Sequence, residues 1–292
     1  MSPAANLDEQ PSSTTATLNY SNPPVDGSYG FVSGYASPIT GKRESNVTEN
    51  PVTVKINNIR TATTPINLDS AGFEVLHAPS VFSQDISNFT SDAKIEADYY
   101  PEIRSLLLAA TGAKEAVIFE HTIRRNTPGE TELDESKRQP VGRVHVDHTT
   151  KGTHDRVRLH CPDRAEDLLS RRVQLINVWR PIQHPASDHP LACAVYRTID
   201  PATDLIPTLL DNPPPMPKGE LYSVKYNPKH EWYYAKDMQV DEVMLIKIFD
   251  SEGLKEGSDV AVMAAHTAFD DPATPVDAPK RQSIEVRCLL FH

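Results

Sequence analysis

The chain has 292 residues, with 29 basic against 40 acidic side chains and a net charge of −11, and it carries no Lys/Arg run that could track a phosphate backbone. Those features exclude nucleic acid as a partner. No apolar stretch approaches the roughly 20 residues needed to span a bilayer, and the opening residues lack a charged-then-apolar leader, so a soluble, cytoplasmic chain with no membrane partner is expected. Cys161, Cys193 and Cys288 are odd in number and lack a Cys-x-x-Cys pairing. They read as free structural thiols rather than a zinc site or a disulfide framework.

In chain order, residues 1–20 are rich in Ser, Thr, Ala, Asn and Pro and are expected to form a disordered N-terminal arm. Residues 21–49 read as extended loop, with regular structure starting at a strand over 52–56 and a second over 72–76. A helix is expected over 103–110, because Pro101 sits near its first turn and Gly112 just past its end. Residues 115–122 follow as a strand. The polar run 124–139 reads as a flexible excursion that could act as a lid, and it returns the chain to a strand over 141–147. A capped helix is expected over 162–172, and an apolar strand over 173–179 that stops at Pro181. Short strands are then expected over 191–198, 220–226, 232–235, 243–249, 260–266 and 283–291. Many short strands without βαβ alternation imply a mainly β (α+β) fold, a sandwich or jelly roll with flanking helices.

The strand over 141–147 contains His145 and Asp147, which share a face because side chains alternate with a period of two. One imidazole and one carboxylate on one face make two-thirds of a 2-His-1-carboxylate facial triad, a ligand set that leaves open positions on Fe(II). A His-x-Asp triplet alone is weak, since composition supplies roughly one by chance. The third ligand is expected at His266, closing an otherwise small and apolar strand. Fifteen positions on, Arg281 and Ser283 open the last strand on a common face, where a guanidinium fork and a hydroxyl can hold the distal carboxylate of 2-oxoglutarate. Arg287, further along the same strand, is the rival anchor. Asn177 and Trp179 share one face of the strand over 173–179 and Arg180 takes the other, and these residues either close a strand beside the core or line a co-substrate pocket. His121 with Arg124 reads as a surface pair in preference to a pair reaching the substrate mouth. The chain has no Gly-rich phosphate loop, Gly-x-Ser-x-Gly elbow or His-Glu-x-x-His helix.

The sequence resembles the iron- and 2-oxoglutarate-dependent hydroxylase/desaturase family of fungal secondary metabolism that includes the fungal gibberellin desaturase and an aspergillic acid pathway hydroxylase. The likeness runs over roughly residues 50–291. It rests on Tyr99-Tyr100-Pro101-Glu102, Thr111-Gly112-Ala113, Val144-His145-Val146-Asp147, Asn177-Val178-Trp179-Arg180-Pro181, Trp232-Tyr233-Tyr234, His266-Thr267-Ala268-Phe269 and Ser283-Ile284-Glu285-Val286-Arg287. The resemblance implies a single double-stranded β-helix (jelly roll) oxygenase domain over 21–292. It matches His145, Asp147 and His266 to the iron ligands, Arg281 to the 2-oxoglutarate arginine, and dioxygen to the remaining position on iron. The expected activity is hydroxylation or desaturation of a small-molecule natural product, by a chain working alone, as a homodimer or as a heterodimer with a related chain. Two other readings are a non-catalytic partner subunit of a related oxygenase and a non-oxygenase cupin-like metalloenzyme. A complete triad followed by Arg281 argues against both.

Overall fold

The computed structural model describes residues 11–36, 43–129, 138–212 and 218–292. Its strands begin with β1 (Ser13–Asn22), β2 (Gly30–Ala36), β3 (Arg43–Ser45), β4 (Thr48–Asn58) and β5 (Phe73–His77). A helix at Tyr100–Thr111 leads to β6 (Glu115–Arg125) and β7 (His145–Val146), and a second at Thr150–His160 precedes β8 (Val173–Pro181) and β9 (Leu191–Ala194). The remainder are β10 (Leu205–Asp211), β11 (Gly219–Val224), β12 (Trp232–Tyr234), β13 (Glu242–Asp250), β14 (His266–Ala268) and β15 (Gln282–Phe291). They form a ten-stranded sheet, β1-β4-β12-β9-β14-β7-β11-β10-β2-β3, and a five-stranded sheet, β5-β13-β8-β15-β6. This is the strand-rich jelly roll that the short-strand pattern implied.

The two faces of the small sheet divide the labour. On one face Ile176, Val178, Val243, Leu245, Ile284 and Val286 join Ile103 and Leu107 of the Tyr100–Thr111 helix in one buried cluster. Each such aliphatic side chain contributes roughly 1.5–3 kcal/mol by leaving water. That helix starts with a proline in its first turn and stops at Gly112, whose φ of 70° lets it cap the carbonyl of Leu108. The opposite face is polar at its centre. There Ser283, Glu285 and Arg287 of β15 lie beside Pro181, Trp179 and Asn177 of β8 on one side and Arg124, Thr122 and Glu120 of β6 on the other. Residues directly opposite in an antiparallel pair project to the same side, so these side chains form a patch facing the large sheet.

Several sequence expectations are corrected. A disordered arm over 1–20 does not hold from Ser13 on: residues 1–10 lie outside the described residues, and β1 pairs with β4 from Ser13↔Asn57 to Asn22↔Thr48. Ala16, Leu18 and Tyr20 alternate into the core, so a period-two burial hidden in a Thr-rich stretch outweighs its loop-like composition. Regular structure likewise fills much of 21–49, as β2, β3 and the start of β4. The strand expected over 260–266 is not a ladder: Ala261 donates to Asp69, Ala264 to Lys247, and the carbonyl of Ala265 accepts from Ala194. With its backbone partners scattered, 261–265 runs irregularly and His266 opens β14 instead of closing a strand. Helix Thr150–His160 was missed, although Thr149 caps it by accepting from the Gly152 amide. The helix expected over 162–172 is a short 3₁₀ turn at Pro162–Arg164 followed by Ala165–Leu169. In the excursion over 124–139, residues 130–137 lie outside the described residues, and Arg124 and Arg125 belong to β6. All three cysteines are free and buried. Among the described residues no helix is long and apolar enough to cross a membrane.

Candidate active site

Strands β14 and β7 are neighbours in the large sheet, and their pairing sets His266 opposite His145. The strand expected over 141–147 shrinks to β7, and Asp147, in the bend just past it, brings its carboxylate to the same cluster. One ligand atom from each of His145, Asp147 and His266 lies within 4.8 Å of the others. Nε2 of His145 is 3.2 Å and Nε2 of His266 is 4.0 Å from Oδ1 of Asp147. The imidazoles are fixed from behind: Nδ1 of His145 contacts the Arg143 carbonyl at 2.7 Å and Nδ1 of His266 the Ala264 carbonyl at 3.3 Å. A carbonyl can only accept, so each Nδ1 carries the proton and each Nε2 presents its lone pair to the shared centre. Burial pushes His266 down to about 4, which keeps that imidazole neutral and available as a ligand at neutral pH.

Asp147 is held from the small sheet. Its Oδ2 accepts from Nδ2 of Asn177 at 2.6 Å and from Nε of Arg287 at 3.3 Å. Both bonds fall on one oxygen, leaving Oδ1 directed at the imidazoles. Burial opposes ionisation of Asp147, but the neighbouring Arg287 charge outweighs it and holds the carboxyl well below the usual carboxylate range. Arg287 is saturated in turn, with Thr122 at 3.0 Å and Glu285 as further partners.

Arg281 occupies the same cavity in a different way. The space is small, about 20 Å³, and is bordered by the three ligand-type residues together with Trp179, Arg281, Arg124 and Glu285. The Arg281 guanidinium lies over the Trp179 ring, 5.4 Å from its centroid. One terminal nitrogen donates to the carbonyl of His189, while Nε is buried with no partner. Burial, and then the neighbouring Arg124 charge, push Arg281 down to about 9. The strand start is secured by Asp188, whose Oδ2 accepts from the Arg281 amide at 2.9 Å and from Asn126 at 2.6 Å. His189 adopts a φ of 45°, an uncommon conformation for a non-glycine residue, and it turns its carbonyl onto Arg281.

The structure thus brings His145, Asp147, His266, Arg281 and Trp179 to one cavity, with Asn177 on the Asp147 carboxylate. Ser283 is buried and shares the face of Arg281, but it is not among the described residues bordering the cavity. Arg180 is corrected outright as a cofactor residue. It points to the helix-covered face, where Nε donates to the Tyr99 hydroxyl and the terminal nitrogens to the Val240 and Ala78 carbonyls, each at 2.8 Å. Arg180→Leu should therefore leave three buried acceptors short of a donor and lower stability by about 2–4 kcal/mol. Denaturant unfolding would register that loss, whereas succinate release per folded molecule should stay at the wild-type level.

Glu285 was missed as a cavity residue, and Arg124, for which the surface reading was preferred, borders the cavity. His121 and Arg124 are not a pair: three apart on a strand they face opposite ways, and His121 contacts Tyr100 and Asp92 instead. The period-two pattern of 115–125 carried that signal. Asp188 and His189 gave none, because a loop's contacts follow from tertiary packing. A larger cleft of about 400 Å³, bordered by Tyr29, Thr149, Lys151, His154 and Tyr222, gathers no comparable set of ligands.

Comparison with known proteins decides the family. Residues 18–291 match a family described as Oxidoreductase/YMDC permease-like domain. The Fe(II)/2-oxoglutarate-dependent dioxygenase nvfI of Aspergillus novofumigatus is 31% identical over 263 residues, covering 87% of this chain and 88% of that protein. The chain belongs to the Fe(II)/2-oxoglutarate-dependent dioxygenases. This dioxygenase is also 29% identical to the hydroxylase/desaturase efuI of Hormonema carpetanum, over 97% of this chain and 96% of that one. A solved structure of the iron and alpha-ketoglutarate-dependent endoperoxidase NvfI superposes with a TM-score of 0.85 at 27% identity, covering 97% of this chain and 99% of that one. The family uses iron, 2-oxoglutarate and dioxygen, and the donor set fits that chemistry: two imidazoles and one carboxylate suit Fe(II), and the orphaned Nε of Arg281 suits a carboxylate.

Proposed function

We propose that His145, Asp147 and His266 hold Fe(II), that Arg281 anchors the distal carboxylate of 2-oxoglutarate, and that the enzyme hydroxylates or desaturates a small natural product. One observation carries this reading: the three ligand-type side chains and a buried arginine with an unpartnered nitrogen border the same cavity. Iron, 2-oxoglutarate and dioxygen together supply the oxidant that removes an unactivated hydrogen. The chain's own residues do the positioning. Asn177 and Arg287 turn one oxygen of Asp147 toward the imidazoles, and the Arg143 and Ala264 carbonyls fix both rings. Trp179 supports the Arg281 guanidinium from below and, with Leu191, Val141 and Ala268, supplies an apolar wall that excludes water. The names of the relatives, a hydroxylase/desaturase and an endoperoxidase among them, support a natural-product substrate.

The test is Fe(II)-dependent release of succinate from 2-oxoglutarate by the purified protein, with and without a panel of terpenoid and polyketide substrates. No succinate in the presence of iron, ascorbate and the panel would defeat the proposal. A narrower prediction concerns Asn177→Ala. Loss of the 2.6 Å bond to Asp147 should weaken metal binding about 10–100-fold, as removal of groups that orient a ligand commonly does. Co(II) titration reads that change directly, without turnover.

A further inference from the structure

We propose that Arg124 is a second carboxylate-binding group of the active-site cavity; this rests on the reading that the cavity takes 2-oxoglutarate. Arg124 sits opposite Ser283 in the β6–β15 register, on the face that carries Arg281 and Glu285, and it borders the cavity with the three ligand-type residues. Its NH1 donates to the Gln139 carbonyl at 3.0 Å. Among the described residues it forms no ion pair.

The nearby Glu285 and Asp147 charges favour the ionised form of Arg124, but both carboxylates hydrogen-bond another residue. Asp147 and Glu285, the two carboxylates that border the space, both bond Arg287. Among the described residues Arg124 and Arg281 then face the same small volume as two guanidiniums without a hydrogen-bonded carboxylate partner on the side chain, each drawn down from its ordinary value first by burial. The Arg124 charge is the second cause acting on Arg281. Two desolvated like charges side by side are unfavourable unless an anion joins them. A carboxylate is the anion whose geometry matches a guanidinium fork. It has two possible sources, the distal end of 2-oxoglutarate or an acid group on the substrate.

The experiment separates these sources. Co(II)-loaded full-length protein is titrated with 2-oxoglutarate and with 2-oxobutanoate, which offers the same metal-chelating end but no distal carboxylate. If Arg124 holds the co-substrate, Arg124→Leu raises the 2-oxoglutarate dissociation constant about 10–100-fold, leaves 2-oxobutanoate unchanged, and Arg124→Lys recovers part of the loss. If Arg124 serves the substrate, 2-oxoglutarate binding is unaltered, and benzoate added to the 2-oxoglutarate-loaded protein binds the wild type but not Arg124→Leu. When neither co-substrate selectivity nor benzoate binding changes in either variant, the proposal is overturned. Arg281→Leu in the same titration reports on the co-substrate reading separately: an unaltered preference for 2-oxoglutarate there removes Arg281 as the anchor whatever Arg124 does. Thermal melting of each variant accompanies the titrations, and the lysine variant, which keeps the charge on strand β6, gives the answer if the leucine variant does not fold.

Discussion

His145→Ala, Asp147→Ala and His266→Ala should each reduce turnover on the order of 10³-fold or more, because the three groups act as one unit around a single ion. Iron retained after purification should fall with activity. The fold should survive in all three. His145 and His266 keep the backbone pairing that joins β7, β14 and β9, and that pairing does not depend on the side chains. Asp147→Ala is the most demanding, since it strips Asn177 and Arg287 of a shared acceptor, although Glu285 still pairs with Arg287. Asp147→Asn keeps the shape and removes the charge, so it separates packing from ligation. Circular dichroism with Co(II) titration would decide the matter: a variant that keeps wild-type metal affinity and near-normal succinate release identifies a residue that is not a ligand.

How far the site could be read from the sequence follows from the range of each interaction. His145 and Asp147 were legible because the spacing that brings them together is local, two residues apart across the end of β7. His266 and Arg281 were legible only as a distant pattern; period two predicted the face of Arg281, but nothing in the order of residues said that β14 would settle beside β7. Asn177 and Trp179 were placed on one face correctly by the same alternation, which also put Arg180 opposite them. Including Arg180 at the site went against that rule, and the Tyr99 hydroxyl and two carbonyls now account for its guanidinium. The N-terminal segment misled because Thr and Ser were read as loop formers. The inward set Ala16, Leu18 and Tyr20 needed a partner strand more than 30 positions away to give it meaning. Asp188 and His189 belong to the class that no pattern reaches, since their roles arise from where a loop lands.

Arg281→Leu should separate co-substrate binding from metal binding, and the outcome turns on what Arg281, just ahead of β15, and Arg287, within it, already hold. Arg287 is committed: Asp147, Thr122 and Glu285 take its donors. Arg281 keeps a buried Nε without an acceptor and lies over Trp179 with no side-chain ion pair among the described residues to occupy it. Replacing Arg281 removes a charge-assisted bidentate contact of about 1.5–3 kcal/mol and leaves the incoming carboxylate against an apolar surface, which adds a desolvation cost. At about 1.4 kcal/mol per tenfold, the apparent 2-oxoglutarate constant should rise roughly tenfold to a few hundredfold, with metal affinity in the absence of co-substrate near its wild-type value. Arg281→Lys should fall between the two, because a point charge replaces a planar fork. Arg287→Leu should do the reverse, weakening metal binding through Asp147 ahead of any effect on 2-oxoglutarate. Paired titrations of the two leucine variants with Co(II) and then with 2-oxoglutarate measure this directly. An unchanged 2-oxoglutarate constant in Arg281→Leu with a raised one in Arg287→Leu, metal affinity being intact in both, would move the anchor to Arg287 and overturn the division of labour drawn from their hydrogen bonds.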